Sequence, residues 1–229
     1  DRTKSLQGLA DDCTPWLLSY SQQLERMGAD FLIETCNTAH AFHTRVQSQL
    51  NIPWIHMMRV VSGAIARHYP QSHKVGVMAT TGTLQANLYA DSLQKVGVEP
   101  IIPSAESDVQ SQIMESIYAP GWGIKASGAA VSARALQTLN NAVDWFEQQG
   151  ADLVIAGCTE LSVGLSRMDS LALPWIDPLD IMADATVGIA LGEVTLSAMG
   201  RQFNDETIVF YPEGTGKTIR PSSVSQLNV

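Results

Sequence analysis

The feature that most restricts what this chain can fold into is an internal repeat. Gly28-Ala29-Asp30, Phe31-Leu32-Ile33 and Glu34-Thr35-Cys36 return as Gly150-Ala151-Asp152, Leu153-Val154-Ile155 and Ala156-Gly157-Cys158. The match extends upstream, where Leu24-Glu25 corresponds to Phe146-Glu147. Downstream, Ile52-Pro53-Trp54-Ile55 corresponds to Leu173-Pro174-Trp175-Ile176, shifted by one residue. Self-similarity of this kind means that one supersecondary unit is used twice. Each copy reads as helix, glycine stop, short apolar strand, cysteine-bearing polar turn, helix and strand. Strands alternating with helices make an α/β fold with parallel strands joined by right-handed crossovers, and such sheets place ligands at the carboxyl ends of their strands. Both cysteines fall at that edge.

The remaining elements fill in around the repeat. Leu6, Leu9, Cys13, Leu17, Tyr20, Leu24 and Met27 recur at three- or four-residue intervals, the period of an amphipathic helix with its apolar side on a core. Thr14-Pro15 restarts it, so the pattern predicts two helices, about 4–12 and 15–27, with Cys13 in the core. Lys74 to Met78 reads as a strand running into the polar turn Ala79-Thr80-Thr81-Gly82-Thr83, then a helix from about 84 to 96 and a strand from Val98 to Ile102. The segment from Ser104 to Gly128 carries a loop signal at Tyr118-Ala119-Pro120-Gly121. A long helix is expected from about Ala129 to Gln149, another of about 20 residues from Asp177 toward Gly200, a strand from Thr207 to Tyr211 and a loose tail over 218–229. Gly214-Thr215-Gly216-Lys217-Thr218 imitates a phosphate-binding loop, but the first glycine of that motif would fall on Tyr211, and Arg220-Pro221 stands where a helix would have to begin.

Net charge decides which partners to exclude. With 14 basic against 23 acidic residues, a formal charge of -9 and no Lys/Arg cluster, the chain is not built to neutralise phosphate rows, so no nucleic acid is expected. A small anion is still allowed, because a local Arg or Lys governs a pocket. No apolar run reaches the roughly 20 residues that span a bilayer and no signal segment opens the chain, so no membrane and a cytoplasmic location are expected. Three cysteines make no disulfide framework and suit a reducing compartment, which leaves thiols free for chemistry. His40, His43, His56, His68 and His73 lack ligand spacing, so no metal is expected.

A thiol at the head of a helix can be drawn toward its thiolate, and turn N–H groups there also suit a carboxylate. One such cysteine would suit nucleophilic catalysis. Two in equivalent places suggest opposed groups across a cleft, one taking a proton from a carbon and the other returning one on the opposite face. Taken singly, each cysteine would read as a small core residue. The resulting carbanion needs hydrogen bonds and cations at the substrate carboxylate. Arg2 and Lys125 are the candidate cations, and Asn37, Thr38, Thr80, Thr81, Thr83 and Thr159 the neutral donors. Each also has an ordinary reading: Arg2 and Lys125 as surface residues, Glu160 as a first-turn acid favoured by the helix dipole, and His40 as a packed side chain rather than a partner of the Cys36 thiol.

Cys36-Asn37-Thr38-Ala39-His40 and Gly157-Cys158-Thr159-Glu160 resemble the two signature motifs of the aspartate/glutamate racemases, and Ala79-Thr80-Thr81-Gly82-Thr83 with Tyr89 resembles the central loop of that family. The likeness spans roughly residues 1 to 195. It implies two pseudo-symmetric lobes, each a parallel sheet flanked by helices, with the active site in the cleft between them, no cofactor, and a homodimer. The lobes would be 1–73 with 177–200, and 74–176, followed by a C-terminal extension over 201–229. It implies Cys36 and Cys158 as the two acid/base groups of a racemase that interconverts L- and D-aspartate or glutamate. Arg2 and Lys125 would contact the carboxylates of this small dicarboxylic amino acid, and Glu160 would orient or tune Cys158. Members of the family open with a strand and a Gly-rich turn, neither of which precedes Asp1 in this sequence. Two rivals remain: an isomerase of an unsaturated diacid such as maleate with one nucleophilic cysteine, and a catalytically silent ligand- or partner-binding relative.

Overall fold

A computed structural model of the chain describes residues 2–128 and 130–193. Its sheet has four parallel strands in the order β2-β1-β3-β4, with β1 Lys74–Ala79, β2 Glu99–Ile101, β3 Leu153–Gly157 and β4 Trp175–Ile176. This is the expected α/β architecture with a parallel sheet flanked by helices. The two central strands are apolar along nearly their whole length because both of their faces are covered. Successive side chains of a strand point to opposite faces. Val75, Val77, Leu153 and Ile155 accordingly join one core, and Met78, Val154 and Ala156 the other.

The first core is closed by helices α4 (Met57–His68), α6 (Leu88–Lys95) and α11 (Pro178–Ala190). The second is closed by α7 (Asp108–Tyr118), α9 (Ala133–Gln148) and α10 (Thr159–Leu165). Helix α9 lies so close to β1 that a Cβ on Gly76 would stand 2.6 Å from the Phe146 ring. A third, smaller cluster of Leu32, Val46, Leu50 and Trp54 forms where α2 (Thr14–Arg26) and α3 (His43–Gln47) meet.

The repeat is one of structure as well as of letters. Helices α2 and α9 both stop at a glycine in the left-handed region, Gly28 at φ 93° and Gly150 at φ 82°. At each stop the next N–H reaches back to close the helix, Ala29 to the Leu24 carbonyl and Ala151 to that of Phe146, a turn that glycine adopts without Cβ strain. The strand that follows is then paired in the same way. Leu32 faces Trp54 in a parallel bridge, its N–H donating to the Pro53 carbonyl, as Val154 faces Trp175 and donates to Pro174. The difference lies in extent: β3 is paired on both sides, whereas the pairing around Leu32 is a single bridge.

Several expectations are corrected. The apolar side of the first two helices does not face a core. Leu9, Tyr20, Leu24 and Met27 are exposed, Met27 by 82%, only Leu17 and Leu18 pack against the third cluster, and Cys13 is half-buried, because no described element covers that side of α2. The first helix is also short, α1 spanning Arg2–Leu6. The helix expected over 84–96 is two, α5 (Thr81–Gln85) and α6, broken where Asn87 turns left-handed at φ 53°. The segment from Ser104 to Gly128 contains α7, capped by the Ser107 hydroxyl, and α8 (Ile124–Ser127). Helix α11 ends well before Gly200, since Gly192 at φ 71° turns the chain and the Gly192 and Glu193 N–H groups close on Ile189 and Gly188. The strand expected at Thr207–Tyr211, the false phosphate loop and the tail lie outside the described residues. No helix among the described residues is long and apolar enough to cross a membrane.

Candidate active site

Each cysteine occupies the residue just ahead of a helix, in extended backbone. Cys36 precedes a 3-10 helix, Asn37–Phe42, and Cys158 precedes α10. Both residues are partly buried.

The two sulfurs differ in what they bond. Helix α1 packs on α5 and on the 3-10 helix, which brings the Arg2 guanidinium over the first sulfur, and Arg2 Nε donates to Cys36 Sγ at 3.2 Å. Burial works against the charge of Arg2, but Cys36, Tyr118 and Glu34 together outweigh it and raise the Arg2 pKa. The backbone N–H of Cys36 donates to Glu34 Oε1 at 3.0 Å. Cys158 is the reverse case, its thiol donating to Glu160 Oε2 at 2.9 Å. Burial pushes that thiol well up, and the adjoining carboxylate pushes it further, because a thiolate there would be desolvated beside a like charge. Glu160 itself is brought down to about 2: burial alone would raise it, but hydrogen bonds from Cys158, Lys125 and Thr159 prevail. One sulfur is thus an acceptor from a cation, the other a donor to an anion.

Among the remaining expected residues, Lys125 forms an ion pair with Glu160, and Thr159 Oγ1 donates to the same carboxylate at 3.0 Å. Thr38, Thr80 and Thr83 form a buried triangle of hydroxyls with edges of 2.9, 3.0 and 3.1 Å, tying the Cys36 helix to the turn after β1. Thr81 is not part of that triangle. It accepts from Gln110 Nε2 at 3.1 Å and lines a pocket of about 580 Å³ with Thr3, Lys4, Gln7, Met114 and Tyr118. Asn37 accepts from the Tyr89 hydroxyl at 2.6 Å. His40 does not pair with the Cys36 thiol, since its Nδ1 lies 3.1 Å from the Cys36 carbonyl oxygen instead.

Two features were not legible in the sequence. Tyr118, singled out there only as part of a loop signal, stands within electrostatic reach of Cys158, Glu160, Arg2 and Cys36, and Lys125 Nζ lies 5.5 Å from its ring centre. Burial first, then Cys158 and Glu160, push its hydroxyl up to about 12. Groups from both cysteine-bearing segments thus act on one side chain. The second feature is a cluster of the buried His40, His43 and Trp54 with the half-buried His56, which includes His40 of the Cys36 helix itself, with ring centres 4.8 to 6.5 Å apart. The signal available was that His56 follows Pro53-Trp54-Ile55 where Asp177 follows the equivalent Pro174-Trp175-Ile176. Among the described residues no group of His, Cys, Asp or Glu is arranged to hold a metal ion.

A parallel α/β sheet accompanies two pre-helix cysteines, one bonded to a cation and one to an anion. The Asp/Glu/Hydantoin racemase family matches residues 2–186, and the chain belongs to that family, as the two cysteine motifs implied. The broad specificity amino-acid racemase RacX of Bacillus subtilis (strain 168) is 29% identical over 182 residues, 79% of this chain and 74% of that protein. A glutamate racemase of Deinococcus radiodurans is 30% identical over 138 residues, 60% of this chain and 44% of its own length, so the chain spans less than half of that relative. In fold, the chain resembles the Picrophilus torridus aspartate racemase, with a TM-score of 0.68 at 19% identity over 84% of this chain and 75% of that one.

Proposed function

We propose that the protein is a racemase of a small dicarboxylic amino acid, aspartate or glutamate, working with two cysteines and no cofactor. The observation that carries this reading is the opposed bonding of the two sulfurs. Cys36, which accepts from Arg2, is suited to start as thiolate, and Cys158, which donates to Glu160, is suited to start as thiol.

In the reaction the Cys36 thiolate takes the α-proton and the C–H electron pair remains on the carbon, delocalised into the carboxylate. Cys158 then gives its proton to the opposite face, leaving the inverted amino acid, a Cys36 thiol and a Cys158 thiolate. The reverse direction exchanges the roles. Arg2 is placed for the carboxylate next to the reacting carbon, where negative charge grows. Lys125, paired with Glu160, offsets the carboxylate that would otherwise oppose a Cys158 thiolate, and in this reading it is also the cation for the distal carboxylate of the substrate. Asn37 supplies a neutral donor, and Thr38, Thr80, Thr83 and Thr159, bonded among themselves or to Glu160, supply the frame. A homodimer acting in a reducing cytoplasm completes the proposal, the dimer to be checked by light scattering.

The test is solvent-deuterium incorporation at the α-carbon of L- and D-aspartate and of L- and D-glutamate. The reading expects exchange with both enantiomers of at least one amino acid and its loss, by about a thousandfold or more, in Cys36→Ala and Cys158→Ala alike. If both enantiomers of both amino acids keep their protons, the reading fails. Conversion of maleate that survives Cys158→Ala would favour the one-nucleophile isomerase instead.

A further inference from the structure

Tyr89 is the largest of the fully buried side chains among the described residues, and it touches both cysteine-bearing segments. Its ring packs against the backbone just ahead of Cys158, where a Cβ on Gly157 would stand 3.3 Å from Tyr89 Cε2. Its hydroxyl reaches the residue just after Cys36, donating to Asn37 Oδ1 at 2.6 Å.

The direction of that bond follows from chemistry. A phenol has one hydrogen, and Asn37 is its only hydrogen-bond partner among the described residues. Were the carboxamide turned over, its NH2 would face the phenol oxygen and the buried O–H would have no acceptor, a state that costs the full desolvation of a donor. Burial, with Asp177 and Cys158 adding to it, raises the Tyr89 pKa well above its ordinary value, so the hydrogen stays in place as pH rises. The Asn37 carbonyl is therefore held inward. Its NH2 has no partner among the described residues and is not among the polar atoms sealed from solvent without one.

We propose that Tyr89 is a positioning residue: by claiming the Asn37 carbonyl it fixes the carboxamide so that the cleft beside Cys36 is offered a donor only, fitted to a carboxylate. A carboxamide free to turn would present its oxygen half of the time, and an oxygen repels the substrate anion. The use of the NH2 for a substrate carboxylate rests on the racemase reading, whereas the orientation of the amide does not.

The test uses the full chain, its Tyr89→Phe, Asn37→Ala and doubly substituted forms, and two readouts. In racemisation or α-deuterium exchange, Tyr89→Phe is expected to raise KM about tenfold with a smaller change in kcat, the loss of one fixed hydrogen bond to a charged group. In the Asn37→Ala background the same substitution is expected to change nothing further, because its route is gone. Multiplying losses would mean that Tyr89 acts through packing and would overturn the proposal. The second readout is nuclear magnetic resonance of the Asn37 side-chain amide and needs no turnover. In the unsubstituted protein its NH2 protons are expected to show no strong cross-relaxation with the Tyr89 ring, and to shift on titration with succinate as a dicarboxylate probe. That shift should weaken in Tyr89→Phe. Strong cross-relaxation to the ring, or NH2 signals that succinate leaves in place, would overturn the proposal even in a protein that proved inactive as a racemase.

Discussion

The charges beside the two sulfurs govern how the site should respond to pH. Glu160 holds Cys158 as a thiol, adding to the effect of burial, and Lys125 stands on the far side of the carboxylate. Glu160→Gln removes the anion and keeps the cation, so the Cys158 pKa should fall and the alkaline limb of the exchange-versus-pH profile should move to lower pH. A limb that stays in place would mean that the carboxylate does not set the state of Cys158. The clustered histidines act in the acid range. Burial, with His43 nearby, lowers His40 to about 4, and burial also brings His43 to about 4. His56 is lowered as well, and His40 Nε2, His56 Nδ1 and Trp54 Nε1 are buried without a hydrogen-bond partner among the described residues. The unfolded chain binds more protons than the folded one between about 4 and the ordinary histidine value of 6.5. The stability due to these neutral rings is thus complete above 6.5 and is lost as pH falls through that window. Urea unfolding midpoints should decline steeply from pH 6.5 to 4, and midpoints flat across that range would contradict the buried, neutral cluster.

At the scale of elements, the decisive contact is between α1 and α5. A Cβ on Gly82 would lie 2.7 Å from Thr3 Oγ1 and 3.0 Å from the Thr3 Cα, and backbone cannot rotate out of the way. Forcing a methyl into such a contact costs about 1–3 kcal/mol, and the five-residue α1 is the element free to give. Gly82→Ala should therefore carry Arg2, the neighbour of Thr3, away from Cys36. We expect exchange to fall more than tenfold while the sheet and its thermal transition hardly change, and unaltered exchange would remove Arg2 from the site. How far these elements were legible depended on whether a local pattern decided them. The glycine stops, β1, β3 and α9 were readable because periodicity, helix ends and burial all agreed at those places. The break at Asn87 was not, since residues 84–96 contain no Gly or Pro to mark it and an asparagine alone makes the turn. The apolar row of α2 misled for a different reason: periodicity marks which side of a helix is apolar and says nothing of what lies against it. In the site, position along the repeat identified the cysteines. Tyr118 and the histidine cluster arise from contacts between distant segments, which no spacing encodes.

Over the whole molecule, duplication supplies equal places and sequence divergence makes them chemically unequal. The same glycine turn, strand bridge and pre-helix cysteine occur twice, but one cysteine is followed by Asn37 and overlain by Arg2, and the other is followed by Thr159 and bonded to Glu160. Under the proposed reaction this inequality gives the protein a short memory. Each inversion ends with the protons exchanged between two sites that do not hold them equally well, so the molecule that has just released one enantiomer is not the molecule that received the other. It must be reset by solvent before it can accept the same hand again. At high substrate concentration that recovery, rather than the breaking of the C–H bond, would become the slow step, and the two directions of turnover would saturate at different speeds even though the equilibrium between the enantiomers favours neither.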